Sequence, residues 1–185
     1  MNTVKLLEFA NHENIFELGL ENIEIDNIPE IPLEGKVGYF KKALKKFNAK
    51  LVNDNFLTKI ADGDVVEIYM PDMSQVYRSI NFFKTCSYKP NFLFARPWYE
   101  LFYRANSVNK ELFVFVTDIM ESKKSTTKYP IASHYLKETM GKKNVTKIDL
   151  GYATALLKKS SNEVFGFAST LKATNVIDNV TPLIV

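Results

Sequence analysis

The chain has 185 residues, 46% of them apolar and 24% charged, so it is long enough to bury a real core and is not a disordered tail. A net charge of +3 is too small to make nucleic acid the expected partner. The single cysteine, Cys86, excludes an internal disulfide framework and a cysteine-rich zinc site.

The opening stretch MNTVKLLEFANHENIFELG meets Glu, Asn and His too early for a secretion signal, and no run of about eighteen apolar residues occurs to cross a membrane. With one unpaired thiol, these features lead to the expectation of a cytoplasmic protein.

Residues 1–58 read as a helical and irregular extension. One or two short helices are expected near the start, and DNIPEIPLEGKVG, with two prolines and two glycines, is expected to be irregular. YFKKALKKFNAKLV then sets Tyr39, Phe40, Ala43, Leu44, Phe47 and Leu51 at helical spacing with lysines opposite. An apolar stripe outside a domain needs cover, so Phe40, Leu44 and Phe47 are expected to pair two copies of the chain as a homodimer.

The period changes at Asp64. DVVEIYM and QVYRSI are short β-prone runs around the turn PDMS, and they read as a hairpin. NFFKTCSY reads as a short helix with Asn81 at its N-cap. KPNFLFARPWYELFY is cut by Pro90 and Pro97 into helical turns. NKELFVFVTDIMES, opening at Asn109, carries Leu112, Phe113, Val116, Ile119 and Met120 on one helical face.

YPIASHYLKETMGKK reads as an insertion with one or two helical turns ending at Gly141. VTKIDLGYATALL alternates Thr146, Ile148, Leu150, Tyr152, Thr154 and Leu156 on one side. KKSSN reads as a hairpin loop, and EVFGFASTLKATNV returns as a strand with Phe165, Phe167 and Leu171 in alternation. Strands followed by helices and then strands again predict an α+β fold: an antiparallel sheet with helices gathered on one face.

In this order the segments resemble a PAS domain over Asp62 to Ile177. The hairpin VVEIYMPDMSQVYRSI is followed by NFFKTCSY, which ends in Ser87-Tyr88 where the family shows Gly-Tyr. KPNFL stands at a short family helix, and RPWYELFY resembles a Pro-Trp-x-x-Leu-Phe stretch. LKKSSNEVFGFASTLKATNV is similar to the closing hairpin, although KATNV departs from the usual Asp-Ile-Thr ending.

The resemblance implies a five-stranded antiparallel sheet with short helices on one face in residues 59–177, an N-terminal helical extension and a tail at 178–185. It also implies a sensory or regulatory module that signals through helix repacking and dimerisation. Its output would come from a signalling partner or from a domain outside this sequence.

Aromatic content is 13%, with 14 Phe and 9 Tyr. In the implied fold Tyr77, Phe82, Phe83, Tyr88, Trp98, Phe102, Phe113 and Tyr152 surround the space between sheet and helices. They either line a pocket for a small apolar or aromatic ligand or fill the core outright. Tyr77, Arg78, Ser79 and Arg96 are candidates for its polar groups.

Cys86 lacks the Asn-Cys-Arg-Phe-Leu-Gln setting of flavin-bonding members and is expected to be a buried apolar residue. His134 and His12 stand alone, and neither flavin, haem nor a metal is expected. Glu67 and Asp149 are possible inward carboxylates. No Gly-x-Ser-x-Gly, phosphate loop or His-Glu-x-x-His occurs. A small α+β enzyme using the same cavity and a binding protein with a filled core remain the alternatives.

Overall fold

The computed structural model describes residues 32–94, 96–126, 129–140 and 144–176. The short helices expected near the start, His12 and the tail lie outside the described residues.

The first element, α1, is Leu33–Lys46. It starts six residues before Tyr39, inside the segment expected to be irregular. Pro32 sits at its N-cap, where its missing N–H costs nothing, and Glu34 in the first turn complements the helix dipole. The helix also ends before the expected Leu51: Asn48 takes the left-handed conformation (φ 50°), and Ala49–Leu51 becomes β1. A single turn, α2 (Asn55–Thr58), leads to the hairpin of β2 (Val65–Tyr69) and β3 (Gln75–Arg78).

A 3-10 helix at Ile80–Lys84 follows, with Ser79 rather than Asn81 at its N-cap. Asn81 instead donates to the carbonyls of Gly63 and Asp64, tying this helix to the start of β2. Two single turns, α3 (Pro90–Leu93) and α4 (Trp98–Leu101), lead through β4 (Phe102–Tyr103) to the long helix α5 (Asn106–Glu121). This helix begins three residues before Asn109. It closes with Lys123 left-handed, as Lys123 N–H donates to Met120 and Lys124 N–H to Ile119.

After β5 (Ser125–Thr126) come β6 (Ser133–Glu138), β7 (Val145–Lys158) and β8 (Val164–Asn175). Where helical turns are expected in SHYLKETMG, Ser133–Glu138 is a strand, and the expected end at Gly141 lies outside the described residues. His134, Leu136 and Glu138 alternate inward along it, and it pairs with β7 from Ser133↔Asp149 to Lys137↔Val145. Backbone pairing on both sides, with β4 and with β7, outweighs the weak local helix preference.

The strands run antiparallel in the order β3-β2-β8-β7-β6-β4, with β1 and β5 also paired to β7. Five strands of four or more residues, β2, β3, β6, β7 and β8, carry the sheet, the number expected. β1, β4 and β5 add edges of two or three residues. Between Leu150 and Ala153 the β7–β8 register shifts at Gly151, and the Thr170 hydroxyl accepts the Tyr152 N–H at 2.9 Å. A Cβ at Gly166 would lie 2.0 Å from the Tyr69 carbonyl, so β8 approaches β2 there only as glycine.

The sheet is covered on both faces. On one lie the 3-10 helix, α3, α4 and α5, around Phe82, Phe83, Leu93, Phe102, Leu136 and Ile148 and, further along, Trp98, Leu112, Val116, Ile119 and Phe167. On the other lie α1 and α2, around Phe40, Phe56, Val66, Ile68, Tyr77 and Leu156. Residues 33–58 of the expected extension thus pack into the same sheet. Phe40 is fully buried against Phe56 and Tyr77, Leu44 is buried, and Phe47 stacks on Phe165. The chain itself covers the stripe expected to pair two copies.

Candidate functional site

Between the inner face of the sheet and its helical cover lies a cavity of about 50 Å³. That is room for a few water-sized groups. The rings therefore do most of the filling, and a small space remains.

Its lining comes from across the chain: Glu67 and Tyr69 of β2, Arg78 of β3, Phe82, Trp98, Arg104, Leu112 and Val116 of α5, Tyr129, His134 and Leu136 of β6, Ile148 and Leu150 of β7, and Phe167, Ser169 and Leu171 of β8. Strand alternation explains the choice on β2: Glu67 and Tyr69 point inward, whereas Val66 and Ile68 point to α1.

The polar lining falls into two groups. In the first, the buried Glu67 carboxylate is fully engaged. It forms an ion pair with Arg78 and accepts from the Ser169 hydroxyl at 2.7 Å and the Tyr69 hydroxyl at 3.1 Å. With its amide oxygen turned to the guanidinium, Gln75 accepts from Arg78 Nε at 2.6 Å and Nη2 at 2.7 Å. The guanidinium also lies 3.8 Å over the Phe82 ring. A buried ion pair persists only when its remaining hydrogen-bonding capacity is met, and here it is.

The second group is less complete. The Arg104 guanidinium stacks 4.4 Å over the Trp98 ring, and its Nε–H donates to His134 Nε2 at 3.2 Å. His134 is only 6% exposed. Burial, and then the neighbouring Arg104 cation, lower its pKa to about 3, against a weaker opposing pull from Asp149. It is a neutral ring at ordinary pH. Burial likewise lowers Arg104 to about 10, with Tyr69 and Glu67 opposing.

Arg104 Nη1 and His134 Nδ1 are buried and close no hydrogen bond among the described residues, while the buried Tyr129 hydroxyl has the Ser169 hydroxyl beside it. Among the described residues no cluster of three or more His, Cys, Asp or Glu side chains could hold a metal ion.

Of the eight ring residues singled out from sequence, Phe82 and Trp98 reach the cavity wall. Phe83, Tyr88 and Phe102 pack beside it in the inner core, with the Tyr88 hydroxyl spent on the Leu101 carbonyl at 2.8 Å. Phe113 stacks outward on Trp98 and Tyr99. Tyr77 and Tyr152 belong to the opposite face, against Phe40 and Phe56. The shift at Gly151 turns Tyr152 away from the side that Ile148 and Leu150 occupy.

Among the proposed polar groups only Arg78 lines the cavity. Ser79 accepts the Val66 N–H, and Arg96 stacks on Phe92. Asp149 pairs with Lys147 at the surface, so it does not join Glu67. Cys86 is buried in the inner core, where burial raises its thiol to about 12. Sequence reading missed Arg104, Tyr129, Ser169 and Gln75. It mentioned His134 but placed it in an insertion.

No family model and no curated protein matches the chain. Several solved structures are similar to it. One is PAS-B of Drosophila melanogaster Cycle with bound ethylene glycol, at 9% identity and TM-score 0.45 over 60% of this chain and 99% of that one. Another is the PAS domain of a protein from Colwellia psychrerythraea, at 10% identity and TM-score 0.47 over 73% and 96%. A third is a sensory box sensor histidine kinase from Vibrio cholerae, at 6% identity and TM-score 0.35 over 77% and 99%. Among the described residues no helix is long and apolar enough to cross a membrane.

Proposed function

We propose that this PAS-like domain is a sensory or regulatory module that takes a small ligand in the cavity between its sheet and helical cover. The observation that carries this reading is the cavity's lining. Buried donors without acceptors are costly in a folded core, and they are a common feature of sites that acquire partners on binding. The mixture of charged and apolar walls moves the ligand away from a purely aromatic compound. The size keeps it small.

Signalling would follow the sheet. A ligand that draws Arg104 and Tyr129 inward favours one packing of α5 on β7 and β8. The same strands carry Leu156 and Ala168, on which α1 side chains rest, so a shift on one face reaches the other. Output through a partner protein or a second copy would then use the exposed lysines of α1, since its apolar stripe is already covered.

An enzyme in the same cavity has less support. Glu67 is held by three partners and His134 by Arg104, which leaves neither as a ready base.

Thermal melting of the purified chain against a library of small acids, amides, alcohols and aromatic metabolites tests the reading. A binder at a hundredfold excess over its Kd raises the midpoint on the order of 5–10 °C. A library with no binder at all would overturn it.

A further inference from the structure

Among the described residues two cations, Arg78 and Arg104, face this cavity, and Glu67 is the one carboxylate in its wall. Glu67 is spent on Arg78. Among the described residues Arg104 has only the neutral His134 as a hydrogen-bonding partner, so one positive charge in the wall lacks a counter-charge of its own.

The tautomer sharpens the point. Because Arg104 Nε–H donates to His134 Nε2, that nitrogen carries the lone pair and the proton sits on Nδ1. Nδ1 is therefore a donor. Arg104 Nη1 is a donor as well, while the Tyr129 hydroxyl already has the Ser169 hydroxyl beside it. Among the described residues neither of these two donors, Nδ1 and Nη1, has an acceptor, and both residues line one cavity.

A set of donors around one uncompensated cation asks for an anionic acceptor. The cavity also has an apolar lining in Leu112, Val116 and Phe167. We infer that the cavity binds a small monocarboxylate, its oxygens on Arg104 and His134 and its short hydrocarbon end against Leu112, Val116 and Phe167.

This rests on the ligand-sensing reading above and gives that reading its chemistry. A carboxylate suits a guanidinium because two parallel N–H groups meet two oxygens. A single negative charge balances the wall. Phosphate at neutral pH would bring a surplus charge into a buried space, and burying unbalanced charge is expensive. A neutral amide or alcohol would leave Arg104 as it stands.

Calorimetric titration and thermal melting of the full chain, at fixed ionic strength, provide the test. The probes are acetate, propionate and pyruvate, with propionamide, propanol, phosphate and chloride as comparisons. Carboxylates are expected to bind saturably and raise the melting midpoint, while propionamide and propanol do not. Arg104→Met should weaken propionate roughly tenfold or more, the loss expected for a charge-assisted contact. Because it removes an unpaired buried cation, the same variant should melt no lower than the parent without ligand, which separates lost binding from lost folding.

Lys45→Gln on α1 should leave propionate binding unchanged. If propanol, propionamide or another neutral compound binds and the carboxylates do not, the inference fails while the ligand-sensing reading stands. If phosphate or chloride matches propionate, the carboxylate assignment fails. If nothing binds, both fall together.

Discussion

The two faces of the sheet are built on opposite plans. The outer face, under α1 and α2, is rings and aliphatic side chains in mutual contact: Phe40 on Phe56 and Tyr77, Phe47 on Phe165, Tyr152 on Phe56. The inner face, a few ångströms away through the same strands, buries an ion pair, a second arginine, a histidine and a small cavity. An apolar face needs only volume and shape to be stable, whereas buried charges reduce stability unless each is answered. A fold that keeps both on one sheet sets a ring-packed face against one whose ion pair must be answered group by group.

The sharpest way to break this contrast is one substitution on each face. Phe40→Ala should cost about 3–5 kcal/mol, the usual loss for a fully buried ring, and leave the ligand preference of the remaining folded protein untouched. Glu67→Gln should cost a similar ~3–5 kcal/mol, because Arg78 loses its counter-charge. Yet it should tighten carboxylate binding, since two cations would then face the cavity. Chemical denaturation gives the first quantity and calorimetry the second. Equal effects of both variants on affinity would erase the division between the faces.

A second prediction concerns pH. His134 is held near 3 in the folded chain, against an ordinary value of about 6.5 when unfolded. The unfolded state therefore binds more protons between those values, so the stability due to His134 is complete above about pH 6.5 and is lost as pH falls toward 3. The size is on the order of a few kcal/mol, set by burial and Arg104 and partly offset by Asp149. Denaturation at pH 7.5, 6 and 5 should show a falling midpoint, and His134→Gln should flatten the decline.

The smallest expected effect lies at the β7–β8 irregularity. Thr170→Val removes the acceptor of the Tyr152 N–H and should cost ~1 kcal/mol with no change in ligand binding.

The hairpin of β2 and β3, the long helix α5 and the closing pair β7 and β8 were legible because their apolar residues repeat at strand or helix period. β6 was not, since two of its three inward positions are His134 and Glu138, and a hydrophobic pattern cannot register an inward polar residue. β1, β4 and β5 are too short to carry a period, and they form because a long neighbour offers them a ladder.

Phe82 and Trp98 could be placed near a cavity from the order of segments alone. Tyr152 could not, because the register shift at Gly151 reverses the face that unbroken alternation assigns it. The polar site was the least visible. Glu67, Arg78, Arg104, His134 and Ser169 are scattered over a hundred residues of chain, and nothing local says that Arg104 meets His134 while Glu67 meets Arg78.

Trp98 is the chain's single tryptophan, and it stacks on Arg104 at the cavity wall, so its fluorescence reports directly on the claim that this arginine awaits an anion. Titrating the purified chain with propionate and with propionamide at constant ionic strength is the most direct measurement. A saturable change in Trp98 emission with propionate, absent with propionamide and absent in Arg104→Met, is the predicted result. The same response to both compounds, or none to either, would contradict it.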